Sequence, residues 1–435
     1  MRLRNATLTI SQRLKLDSHH AIERFGVFVT LFALAGVLVI GGAGISALQA
    51  GNDSMARTAL YTSQYTTSKT SLKGDVDGIY GNLHRDKVFV MMHFPTTARI
   101  SYNAADYRAF LLGSDDDLRN EAVSTAGIKG SFHVYGSTGY IGVMLEAATP
   151  FESQVLNLTI RANTELTHDE RQRAPATVDE LADDTSFRRY DQWRIFINPG
   201  ASGMTTIPSL DATRIDPARA FYDIILKAEE QRVRGTLDQK LLEMRSTLAQ
   251  VQAYTADLKT TTVDGLFLQP PTMPAAIAGD RVTGVTAAEA KNGASTLTLA
   301  TGHTVPGGFD FDWRPGNVLD GYLNRVVPER QSYVEFLAEK RSEVTDGTTR
   351  QISEMRWTLS DGSDLKRDHR GTDVTLRPLT TVMNNLSQAY LDYAKSKATY
   401  QSQLLLDLLR LEVKLRDVRS NTSTRDDAGF LASLY

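Results

Sequence analysis

One stretch constrains this chain more than any other: residues 25–48, FGVFVTLFALAGVLVIGGAGISAL, carry no charged side chain. At about 1.5 Å per residue this makes roughly 36 Å of helix, enough to cross a hydrocarbon layer about 30 Å thick. A helix buried in a globular core would keep a polar face, and here every face is apolar or small. The segment is predicted to be a single transmembrane helix. Arg2, Arg4, Arg13, Lys15 and Arg24 precede it against Asp17 and Glu23, while Arg57 is the first cation beyond it. That charge bias makes residues 1–24 a cytoplasmic basic tail and places the rest outside the plasma membrane. A cleaved signal peptide is the competing reading; the long basic region and Leu48, three positions before Gly51, speak against it. Gly42 and Ser46, and Ala43 and Ala47, are small residues four apart, a spacing that lets two membrane helices approach closely.

Beyond the span the chain is long enough for two or three folding units. Residues 49–85, rich in Ser, Thr and Gly, read as a stalk. A small α+β domain with antiparallel strands is expected over 86–205. Within it KVFVMMHF (87–94), GSFHVYGSTGY (130–140) and QVLNLTIRAN (154–163) have strand character, and YNAADYRAFLL (102–112) has helical spacing. Residues 166–190 form a charged linker, and 191–197 is a short strand.

Two long helices follow. Asp216 and Pro217 make a good N-cap and first helical position for one over 216–260. Its stripe runs through Leu237, Leu241, Met244, Leu248 and Val251. The second, over 378–419, carries Leu404, Leu408, Leu411 and Leu415 in steps of three and four. Such stripes are coiled-coil-like and predict that the helices pair with each other or across subunits of a homo-oligomer. Between them lies an irregular, β-containing insertion at 262–375, and 420–435 reads as a flexible tail. The fold class expected is α+β.

Chemistry is sparse in this pattern. The formal net charge of −3 provides no basic field over the whole surface, so nucleic acid is not an expected partner. There is no cysteine, which removes disulfides, thiolate nucleophiles and Cys-based zinc sites. No phosphate loop, HExxH, nucleophile elbow or dinucleotide fingerprint occurs, and no cofactor is expected. Met91 and Met92 before His93 raise the question of copper, with strand packing the plainer reading. Asp310 and Asp312, two apart in GGFDFD (307–312), would share a face on a strand and are the one place for a paired-carboxylate hydrolase.

Several stretches resemble single-pass proteins carried by conjugative plasmids and integrative elements of Gram-positive bacteria. They are KVFVMMHF (87–94), NAADYRAFLLGS (103–114), HVYGSTGYIGV (133–143), PFESQVLNLTIRAN (150–163), YDQWRIFINPGASG (190–203) and IAGDRV (277–282). The resemblance implies a component of a conjugation or type IV secretion-like apparatus, with other envelope subunits as partners and no assigned catalytic residues. A non-enzymatic assembly subunit is the leading expectation; an adhesin or receptor module and a cell-wall hydrolase are the alternatives. Alkaline extraction of membranes should leave the full chain in the pellet; release into the soluble fraction would remove the predicted span.

Overall fold

The computed structural model describes residues 54, 56–115, 122–123, 125–166, 189–342, 347–369 and 374–433. The predicted span at 25–48, with Gly42, Ala43, Ser46 and Ala47, and most of the charged linker lie outside these residues. Among the described residues no helix is long and apolar enough to cross a membrane.

The fold is α+β with two largely antiparallel sheets. The first contains β1 (Gln64–Thr66), β2 (Lys73–Gly81) and β3 (Lys87–His93). Strands β4 (Tyr107–Asp115) and β5 (Ala122–Val123) belong to the second. Next come β6 (Lys129–Tyr135) and β7 (Tyr140–Glu146) of the first, then β8 (Gln154–Ala162) and β9 (Asp191–Ile197) of the second. A short β10 (Thr205–Thr206) pairs in parallel with β2.

Strand β3 shows how the layers stack. All its residues before His93 are buried, on both faces. Val88, Val90 and Met92 pack toward the second sheet with Leu156, Leu158, Ile160 and Trp193. Phe89 and Met91 belong to the other core, with the helices. The first sheet is therefore a middle layer, and a strand buried on both sides loses the polar alternation of a one-sided strand. Gly142 of β7, opposite Met91, is fixed by this packing, because a Cβ there would lie 2.3 Å from the Phe89 ring.

The helical layer begins at α1 (Pro217–Phe221), where the Asp216 carboxylate accepts the Ala218 amide at 2.9 Å. A π-helical turn at Tyr222–Leu226 leads into α2 (Lys227–Thr260), roughly 50 Å long. The following region holds a two-stranded ribbon, β11 (Arg281–Thr283) with β12 (Thr298–Ala300). It also holds the short helices α3 (Leu323–Val326), α4 (Tyr333–Ser342) and α5 (Gly347–Ser353). Then α6 (Arg377–Thr399), a second π-helical turn (Tyr400–Leu404) and α7 (Leu405–Asn421) return along α2 and α1. The pairing is antiparallel: Ser396 donates to Glu243 at 2.6 Å, and Lys414 stands 5.7 Å from the Phe221 ring.

Several expectations are corrected here. The stalk at 49–85 contains β1 and β2, and a register shift between Val76 and Gly78 lets both Val76 and Ile79 join Tyr65 in the sandwich core. The stretch 102–112 is a short 3-10 turn (Ala104–Asp106) followed by β4. Tyr107, Ala109 and Leu111 face inward at period two, and burying them overrides the helical spacing. The tail at 420–435 is not free. Strand β13 (Thr422–Arg425) pairs with β6, and β14 (Leu431–Ser433) pairs in parallel with β4. Phe430 is driven between the sheets, 5.5 Å from the Phe132 ring.

The helix stripe is filled from within the chain. Leu237, Leu241, Met244, Val251, Leu408 and Leu415 are buried in the helical core, and Leu248, Leu404 and Leu411 pack against it. The π-helical turn inserts a residue and moves the stripe, so Leu405 and Leu409 are fully buried while Leu404 is only partly so. Replacing Phe430 by Ala should cost about 3–5 kcal/mol, as expected for a large aromatic lost from a closed core, read as a lowered denaturation midpoint with the helical signal retained.

Candidate functional site

A helix face turned to a core asks for apolar residues, yet three charged side chains stand on the stripes. Glu230 lies between Leu226 and Val233, Lys397 between Tyr393 and Tyr400, and Glu412 between Leu408 and Leu415. All three are buried, and all three bind the insertion. Lys397 Nζ donates to Asp280 Oδ2 (2.6 Å), the Ala276 and His303 carbonyls (2.6 Å each) and Thr301 Oγ1 (2.9 Å). Asp280 Oδ2 also accepts from Tyr393 OH at 2.8 Å, and the Lys397 and Asp280 side chains are each 1% exposed. Glu230 accepts from Tyr222 OH (3.0 Å), Arg234 Nε (2.8 Å) and the Val318 amide (3.1 Å). Glu412 accepts from the Tyr322 and Leu323 amides and, at 2.9 Å, from Arg416 Nε. A buried carboxylate without such donors would be strongly destabilising, so these bonds hold a segment poor in regular structure to the helices.

Beside this network Asp310, Trp313 and Tyr400 line a pocket of about 230 Å³, with Leu297 and Arg314. Burial pushes the Asp310 carboxyl up to about 6, partly opposed by the Phe311 amide and the Lys397 charge. Trp313 Nε1 donates to Tyr400 OH at 2.9 Å. Asp312 also lines the pocket but is exposed, and its Oδ1 accepts the Arg314 amide at 3.2 Å. The Arg314 guanidinium is committed to the Leu297 and Ser295 carbonyls and to Asp238. The pocket offers one half-buried acid and one solvated carboxylate in a space smaller than ordinary ligand sites.

A larger opening lies where α7 passes the β6–β7 turn. It is a groove of about 1160 Å³, bounded by His93 and Tyr140 on one side, Lys414 and Asp417 on the other, and Tyr333 and Val334 at the rim. Lys414 sits 5.1 Å over the Tyr140 ring. Burial and the nearby Asp77 carboxylate push the Tyr140 phenol up to about 12, so it stays a neutral hydrogen-bonding group. His93 Nδ1 is 2.8 Å from Asp77 Oδ2, and its ring lies 5.2 Å from Tyr140. Two of its hydroxyls are hydrogen-bonded: Ser137 Oγ donates to Asp417, on the opposite wall, at 2.9 Å and Thr138 Oγ1 to the Tyr135 carbonyl at 2.6 Å. This arrangement offers charged, hydroxyl and aromatic groups to a polar chain.

The run Met91-Met92-His93 does not converge on one point. Met91 faces the helical core and Met92 the sandwich, as neighbours on a strand must. Among the described residues no group of three or more His, Asp or Glu could hold a metal ion. Sequence reasoning singled out Asp310 and Asp312 but passed over Lys397, Glu230 and Glu412; their visible signal was a charge standing on an apolar stripe.

No protein-family model, no curated protein and no solved structure matches this chain.

Lys397→Met strands the Asp280 carboxylate and should cost about 3–5 kcal/mol, whereas the double variant with Asp280→Leu should recover most of that loss in chemical denaturation. Asp310 gives a signed pH effect. Its folded pKa is raised above the unfolded value, so its contribution is fully present below about 4 and lost as pH rises through about 6. Asp310→Asn should therefore gain stability relative to the parent over that window, measured as the difference in denaturation midpoint against pH.

Proposed function

We propose that the chain is a non-catalytic structural or assembly subunit of an envelope-associated conjugation or secretion-like machine. One transmembrane helix anchors it, and its body grips a partner outside the membrane. The resemblance of six stretches and the uncharged segment at 25–48 motivate the setting. The groove between the sheet and α7 carries the binding part of the reading. Its size and its mixed polar and apolar walls suit a segment of another protein.

Self-association of the chain would use the small residues of the membrane span, Gly42, Ala43, Ser46 and Ala47, and the helix surface left partly open at Leu248, Leu404 and Leu411. An adhesin or receptor would use the same groove, and the identity of the captured partner separates the two readings. The hydrolase reading rests on Asp310 and Asp312 alone, and Asp310→Asn should leave cell-wall turnover unchanged.

Crosslinking the full chain in native membranes should recover at least one envelope protein. Lys414→Glu combined with Val334→Asp, on the groove wall and its exposed rim, should cut that recovery at least several-fold while the folded chain stays in the membrane. Recovery of the chain alone, or of the same partners with both substitutions, would defeat the proposal.

A further inference from the structure

The second sheet, in the order β14–β4–β8–β9, has one face in the sandwich core and one facing out. The outward positions are Arg108, Phe110 and Leu112 on β4, Asn157, Thr159 and Arg161 on β8, and Gln192, Arg194 and Phe196 on β9. No carboxylate stands among these nine positions. Arg108 and Arg161 are direct cross-strand neighbours, an arrangement in which like charges repel. Both guanidinium groups approach the Phe110 ring, at 5.4 and 4.6 Å, and Arg161 also lies 5.0 Å from the Tyr190 ring. Aromatic faces offset part of that repulsion. No ion pair to a described residue holds Arg108, Arg161 or Arg194. Phe196 is 38% exposed and belongs to neither core. A chain with a net charge of −3 thus collects cations and aromatic rings on one flat face.

The position of that face relative to the anchor identifies what it meets. Residues 56–62 run beside β9: the Asn198 amide donates to the Ala59 carbonyl at 2.8 Å, and the Tyr61 amide to the Phe196 carbonyl at 3.1 Å. Leu60 is bridged to Ile197. From the end of the uncharged segment at Leu48 to Leu60 the chain extends at most roughly 40 Å, so the edge of this sheet is tied close to the bilayer. Tyr61, on that same edge, is also exposed. Arginine recognises phosphate groups through paired donors, and aromatic side chains settle at the headgroup level.

We propose that the outer face of the five-stranded sheet lies on the anionic phospholipid surface of the membrane that anchors the chain, with Arg108, Arg161 and Arg194 on headgroup phosphates. The proposal rests on the single-span reading and adds an orientation to it: the body is docked flat on the bilayer. The groove beside α7, on the far side of the middle sheet, is then left facing away.

The test uses the full chain in vesicles. Because the sequence has no cysteine, Thr159→Cys gives one labelling site on the face, and Leu83→Cys gives a control at an exposed loop of the other sheet. A lipid-borne quencher should reduce the emission of a dye at 159 several-fold more in vesicles containing phosphatidylglycerol than in phosphatidylcholine alone. High salt and the pair Arg108→Glu and Arg194→Glu should each abolish that difference, and the dye at 83 should show none. Equal quenching in both lipids, or insensitivity to salt and to charge reversal, overturns the docking while leaving the anchor in place. Protection of the dye at 159 by single-stranded DNA without any by anionic vesicles also overturns it. Co-flotation of the chain with vesicles reports the anchor separately, and its failure removes both readings.

Discussion

The structure depends on charged side chains placed where a helix pair would otherwise be apolar. Lys397, Glu230 and Glu412 reach out of the helical core to take backbone and side-chain groups of the region between the helices. That region has little regular structure of its own, so its backbone groups need partners elsewhere. An apolar stripe alone would have packed the helices just as tightly and left the intervening segment without a register. A buried ion pair adds little net stability, because the desolvation cost offsets much of the attraction.

The β body relies on a different constraint. The middle sheet is covered on both faces, by the second sheet and by the helices, and strand β3 supplies residues to both cores. This makes the two halves one packed structure. The C-terminal strands tighten it further: β13 extends the middle sheet, β14 extends the second, and Phe430 fills the space between. The end of α7 is thereby brought beside the β6–β7 turn, which is where the groove opens.

These placements give the functional reading its shape. Leu60 and Tyr61 run along one edge of the second sheet, its cationic and aromatic face lies beside that edge, and the groove opens on the opposite side of the middle sheet. Burial raises two described carboxyls: Asp310, in a small pocket beside the Arg314 guanidinium, and Asp77, which meets His93. Lys414 and His93 both lie close to the Tyr140 ring on the groove wall.

Much of the architecture was legible in residue order. The cap at Asp216, the two heptad-like stripes and the strands at 87–93 and 191–197 are local patterns, and local patterns report local conformation. Partners distant in sequence were not legible. Nothing near Lys397 points to Asp280, nothing near Phe430 points to Phe132, and the polar stretch at 64–81 resembles a stalk until a neighbouring strand buries alternate residues. For the same reason the leucine stripes announced a buried face without saying which chain would cover it. By itself the sequence determined the helix start at Asp216 and the strand and helix periodicities, because each depends on residues a few positions apart. Only the tertiary structure decided that the helices cover each other, that the C-terminal residues close the sandwich and that arginines from three strands share one face, because burial and register are properties of the assembled chain.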